Sequence, residues 1–100
     1  MIVVKVKYNH SSVCEVTITG HANYADFGKD IVCSSVSSIV ITTVNGIDSV
    51  APGVLTVEEK KDQMKLIVQR DDEIGQKLLW NMIELLKELQ VNYPKNIIVK

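Results

Sequence analysis

Along residues 2–8 apolar and polar positions alternate, with Ile2, Val4, Val6 and Tyr8 on one side and Lys5 and Lys7 on the other. That is the period of a half-buried strand. Residues 9–12, Asn-His-Ser-Ser, read as a turn. Alternation then resumes, Cys14, Val16 and Ile18 sharing one face and Glu15, Thr17 and Thr19 the other, and it stops at Gly20. The pair predicts an antiparallel hairpin. Residues 21–29 have no sustained period and contain Gly28, which predicts a loop. From about Asp30 the spacing changes to three and four: Val32, Val36, Ile39, Val40, Thr43, Val44 and Ile47 form one stripe of a helix. Asn45-Gly46 leaves open whether that helix ends there or only softens, whereas Pro52-Gly53 breaks the chain direction. A second hairpin is predicted from Leu55 and Val57, a turn at Lys60, Lys61 and Asp62, and then Met64, Leu66 and Val68. Asp71 and Asp72 offer a helix start. The stripe Leu79, Met82, Ile83, Leu86 and Leu89 carries a second helix, which must stop before Pro94. Residues 96–100 predict a short last strand.

The order ββαββαβ describes one α+β (α/β) domain over residues 1–100, with two long helices burying their stripes on a mostly antiparallel or mixed sheet. A chain of 100 residues with 46% hydrophobic and 23% charged residues has the composition for one such core. Eleven Lys/Arg stand against twelve Asp/Glu, a net charge of −1. Nothing in that balance suggests a phosphate-binding protein, so no direct nucleic-acid partner is expected. Cys14 and Cys33 are too few for a disulfide scaffold. The first residues alternate like a strand and do not resemble a signal peptide, and no apolar run close to ~20 residues is evident. The expectation is a cytoplasmic protein with no membrane contact.

Candidate chemistry lies between the first hairpin and the first helix. His21 follows the end of the second strand, and Cys33 falls in the first turn of a helix starting near Asp30. The unpaired N–H groups and positive dipole end of a helix start favour a thiolate, and an imidazolium nearby favours it further. The same N–H groups, including that of Cys33, would suit an oxyanion. This is consistent with acyl transfer, although one Cys and one His do not by themselves separate it from an inert helix cysteine beside a turn histidine.

The wording of the stretch is more specific. Gly20-His21-Ala22, then Gly28-Lys29-Asp30-Ile31-Val32-Cys33-Ser34-Ser35-Val36-Ser37, resembles the ribosomal-processing cysteine proteases, the Prp family. The family pattern is Gly-His-Ala, a short loop, then Gly-x-Asp-Ile-Val-Cys followed by small residues and Val-Ser. Ser34 and Ser35 stand where alanines are common in the family. The resemblance implies that Cys33 is the nucleophile and His21 the general base. It further implies a homodimer acting on a short N-terminal extension of a large-subunit ribosomal protein, cut after a pair of aromatic residues.

Around this pair several roles are weighed. Asp30 either orients His21 or caps the helix, and the cap is the reading adopted. Ser37 is a candidate lining residue, and Tyr24, Phe27 and Gly28 belong to a candidate substrate loop. Residues 22–29 are expected to be mobile when free and to order around a bound peptide. Cys14 reads as a small buried hydrophobe and His10 as a solvated turn residue. Trp80 is left between covering the sheet edge and contacting a second copy. A zinc site on His21 and Cys33 would need Asp26, Asp30 or a second copy to approach four ligands, so neither a metal nor a cofactor is expected. The competing function is a non-catalytic ribosome-associated binding module.

Overall fold

The computed structural model describes the backbone of residues 1–20 and 27–100, and the side chains of residues 1–20 and 31–100. Strands β1 (Ile2–Asn9), β2 (Ser12–Thr19), β3 (Leu55–Lys60), β4 (Gln63–Val68) and β5 (Ile97–Val99) form one sheet in the order β3-β4-β2-β1-β5. Helices α1 (Phe27–Val50) and α2 (Glu73–Asn92) pack on each other and cover one face of the sheet. β1 pairs antiparallel with β2 and parallel with β5, and β4 pairs antiparallel with both β2 and β3, so the sheet is mixed.

The covered face is built by alternation. Val4 faces Ile18, which faces Met64, and Val6 faces Val16, which faces Leu66. Val4, Val16, Ile18 and Leu66 are buried. Onto them α1 lays Val32, Val36, Val40 and Ile47, while α2 contributes Leu79, Met82, Ile83 and Leu86. β3 overhangs this layer, because Leu55 is buried whereas Val57, on the same face, is exposed. Tyr8 also lies beyond the core, where Trp80 of α2 stacks on it with ring centroids 5.5 Å apart. Trp80 therefore covers the far end of β1.

The ends of α2 follow the expected rules. Asp72 is the N-cap, its Oδ2 accepting from the Gly75 N–H at 2.8 Å, and Tyr93 is the C-cap just before Pro94. Gln76 joins the helix to the first hairpin: the Val13 N–H donates to its Oε1 and its Nε2 donates to the Val13 carbonyl, both at 2.8 Å. α1 passes through Asn45-Gly46 without interruption and stops at Val50, and Gly53 turns the chain with φ +85°.

Four expectations are corrected. Cys14 is only half-buried, because a bulge lies there: Lys7 faces Glu15 and Tyr8 faces Val13, leaving Cys14 as the extra residue and Val13 in the core. The helix starts at Phe27, not near Asp30, so 27–29 are helical. Asp30 is thus the fourth helical residue rather than a cap. Finally, Ile31–Val50 has the length of 20 residues and the mean hydropathy of 1.4 of a possible membrane span. Its serines and threonines barely lower the hydropathy, which hid the run from a search for unbroken apolar residues. In the fold, this run supplies the core stripe of α1.

Gly20 terminates β2 with φ +79°, its N–H donating to the Asp62 carbonyl at 3.2 Å. A Cβ added there would collide with the Met1 carbonyl oxygen, which is backbone and cannot swing aside. Gly20→Ala is expected to cost about 1–3 kcal/mol, read as a lowered denaturation midpoint; an unchanged midpoint would refute the backbone constraint. Gln76→Ala should also destabilise by about 1–3 kcal/mol, because it strips partners from the buried Val13 backbone. Urea titration of the variant tests this, and a loss below a few tenths would show that water replaces the side chain.

Candidate active site

The site is framed by two elements whose positions are fixed independently. β2 carries the chain to Gly20, where the left-handed backbone and the Met1 carbonyl dictate glycine. α1 carries Cys33, immediately after the buried Val32 of its core ridge. One residue further along a helix is a rotation of about 100°, so the thiol lies on the flank of the ridge. Cys33 is accordingly half-buried and packs against the hydrophobic core.

Ser37 lies one turn beyond Cys33 and shares its flank. It is half-buried and lines a small cavity with Ile18, Val36, Val40 and Met64. Ile18 of β2 and Met64 of β4 face each other in the sheet, and Ile18 lies just before the strand end at Thr19. The Cys33–Ser37 flank is therefore turned toward the end of the β2–β4 pair. On the other flank, Ser34, Ser35, Ser38 and Ile39 form a groove of about 490 Å³ with Leu85, Glu88, Leu89 and Asn92 of α2. The small serines keep this seam open, a feature that the run of serines signalled without indicating which flank it served.

The remaining candidates do not all fall within the described part. His21, Tyr24 and the aspartate at 26 lie outside the described residues, as do the side chains of Phe27, Gly28 and Asp30, and with them most of the expected mobile loop at 22–29. The backbone of Phe27, Gly28 and Asp30 is helical. Among the described residues, no three His, Cys, Asp or Glu side chains come together as a metal site. His10 sits in the first hairpin turn with φ 59° and is exposed. It shares a polar cleft with Cys14, Arg70, Asp71 and Gln76.

With Cys33 about two turns inside α1, the helix-start argument weakens. The free N–H groups of a helix belong to its first four residues, here 27–30, and residue 33 enters the internal ladder. The arrangement still offers a thiol at the margin of the core, on a helix whose neighbouring residues line a small cavity and a groove. That is a suitable setting for a nucleophile acting on a peptide laid across the end of the sheet.

Comparison with known proteins bears on the same point. The sequence profile of the cysteine protease Prp matches residues 1–98. The ribosomal processing cysteine protease Prp of Staphylococcus aureus (strain Mu50 / ATCC 700699) is 28% identical over 101 residues, which cover 97% of this chain and 95% of the relative. That of Bacillus subtilis (strain 168) is 35% identical over 48 residues, 47% of this chain and 43% of the relative. The crystal structure of the S. aureus protease with a substrate peptide superposes with a TM-score of 0.92 at 23% identity, covering 100% of this chain and 98% of the other. The same protease with a covalently linked product peptide gives 0.88 at 25% identity, with the same coverage. With its profile matched from residue 1 to residue 98, this chain belongs to the Prp family of ribosomal-processing cysteine proteases.

Proposed function

We propose that this protein is an endopeptidase that uses Cys33 as nucleophile and His21 as general base. It removes the short N-terminal extension of a large-subunit ribosomal protein. The observation that carries the reading is the family match over residues 1–98, together with a Cys33 thiol at the edge of the core rather than sealed within it. The peptide complexes known for the S. aureus relative support a peptide substrate for this chain as well.

In the proposed reaction His21 takes the Cys33 proton and the thiolate sulfur attacks the scissile carbonyl, forming a tetrahedral oxyanion. Collapse breaks the C–N bond as the imidazolium returns its proton to the leaving amine. The remaining thioester is hydrolysed by a water that His21 deprotonates, which releases the acid product and the thiol. Ser37, on the same flank as Cys33, is a lining residue, and Tyr24, Phe27 and Gly28 belong to the loop that receives the substrate. Asp30, placed inside the helix rather than at its cap, is free of the capping role and is assigned to orienting His21. The enzyme works as a homodimer in the cytoplasm and requires no cofactor.

Incubating the ribosomal protein that bears its extension with the parent protein, with Cys33→Ala and with His21→Ala tests this by mass spectrometry of the product. The parent should yield the shortened protein, Cys33→Ala none, and His21→Ala a kcat/KM lower by about 10²–10⁴. Loss of cleavage only counts where the variant keeps the parent's melting profile. A parent that binds the substrate and leaves it whole would establish the binding-module alternative.

A further inference from the structure

The sheet face turned away from the helices carries a charge pattern that the net charge of −1 conceals. Lys5 faces Thr17, Thr17 faces Lys65, and Lys65 faces Glu58. At the other side the parallel ladder of β1 and β5 continues past Val4–Val99. The Lys100 N–H donates to the Val4 carbonyl at 2.7 Å and the Val6 N–H donates to the Lys100 carbonyl at 3.1 Å, which sets Lys100 opposite Lys5. One row therefore reads Lys100, Lys5, Thr17, Lys65, Glu58, from just past the end of β5 across to β3. In the next row Lys7 pairs with Glu15, Nζ to Oε2 3.4 Å, with the lysine side chain still 71% exposed. In the row on the other side, Lys60 faces Gln63. Lys5, Lys7, Lys65 and Lys100 border a shallow cleft of about 290 Å³ with Glu15, Thr17 and Gln63.

Five lysines thus share a face with two carboxylates, and Lys5, Lys65 and Lys100 make no ion pair among the described residues. Neighbouring strands are about 4.8 Å apart, and like charges directly opposite destabilise a sheet. The row of Lys5 and Lys100 is a cost to the fold that a bound polyanion would remove. The chemistry of the face selects which polyanion. Protein interfaces are depleted in lysine and enriched in aromatic residues and arginine, and the face has neither of the latter. Base stacking needs aromatic platforms, also lacking here. A membrane-surface element needs apolar side chains to insert, but Val3, Ile67 and Ile98, the apolar residues here, are half-buried in the sheet. Lysine binds phosphate as a point charge, without the bidentate geometry of arginine, which suits contacts that do not depend on sequence.

We propose that this face binds the phosphate backbone of double-helical RNA, independent of sequence, through Lys5, Lys7, Lys65 and Lys100 with Lys60 at the rim. The expectation that nucleic acid is no partner rested on net charge, which does not register how charge is divided between faces. The purpose of such binding rests on the proposed ribosomal substrate, because a protease whose substrate is assembled on RNA gains by holding that RNA. Binding itself is measured without cleavage, so the two readings fail separately.

The test is fluorescence anisotropy of a labelled RNA hairpin with the parent, K5E/K65E, the milder K5Q/K65Q, and K77E/K87E, which changes two exposed lysines of α2 as a control. For three to four phosphate contacts the parent's log K should fall with log salt with a slope of about −3. K5E/K65E and K5Q/K65Q should weaken binding by at least about tenfold at low salt and flatten the slope by about two, the control leaving both unchanged. Melting profiles and peptide cleavage by the same variants verify that they are folded. No binding by the parent at low salt would overturn the proposal. So would an equal loss in the control, or binding to vesicles of anionic lipid in preference to the hairpin.

Discussion

The seating of α1 on the sheet through Val32, Val36, Val40 and Ile47 governs the rest of the molecule, because it fixes both the depth and the rotation of the helix. Each of these side chains is almost wholly withdrawn from water. Close-packed interiors tolerate little displacement, so a ridge of β-branched residues with stiff rotamers leaves the helix one orientation. Cys33 follows Val32 directly and inherits its place from that orientation, at the core margin. A rotation of one residue would either bury the thiol or carry it to the solvent side with Ser34. The apolar run that gives α1 the look of a membrane span is the same ridge, together with hydroxyl residues small enough to pack beside α2.

The opposite end of the sheet is held by different means. The bulge at Cys14 turns Val13 into the core, and Gln76 satisfies both backbone groups of Val13 from α2. Ser12 adds a bond from its Oγ to Asp71 Oδ2 at 3.0 Å, just before the Asp72 cap. The first hairpin and the start of α2 are thus tied by polar contacts at one end, while the other end, at Gly20, is shaped by a backbone collision that only glycine avoids. A sheet secured in this way presents the end of β2 as a fixed point from which the motif departs.

Much of this was legible because it depends on period. The strands, the stripe of α2 and its stop before Pro94 all follow from side-chain alternation or helical spacing, and the order of elements follows with them. The bulge was not legible: Cys14, Val16 and Ile18 alternate correctly by themselves, and only the register against Lys7 and Tyr8 shows that Val13 takes the inward place. The start of α1 was missed because residues 27–29 carry no apolar stripe and include a glycine, so nothing in their spacing separates a solvated first turn from a loop. The glycine of Gly20-His21 was readable as part of a family pattern, but its cause, the Met1 carbonyl across the sheet, is a tertiary contact. Composition likewise gave the sum of charges and concealed their division, which depends on which lysines share a face.

The earlier start of α1 also changes the demands on the proposed chemistry. A nucleophile in a first turn would draw on free N–H groups and the dipole for its thiolate, and on its own N–H for the oxyanion. With the helix wound back to Phe27, the last of the free N–H groups belongs to residue 30, about 4.5 Å along the axis from residue 33, and the N–H of Cys33 is committed to the ladder. In the proposed reaction the positive charge that favours the thiolate must then come chiefly from His21 itself, as an imidazolium beside the sulfur. His21 would act as ion-pair partner before the attack and as proton donor after it. In that reaction the burden of the site would fall on the residue directly after Gly20, which makes the backbone constraint at this glycine matter to the proposed chemistry as well as to the fold.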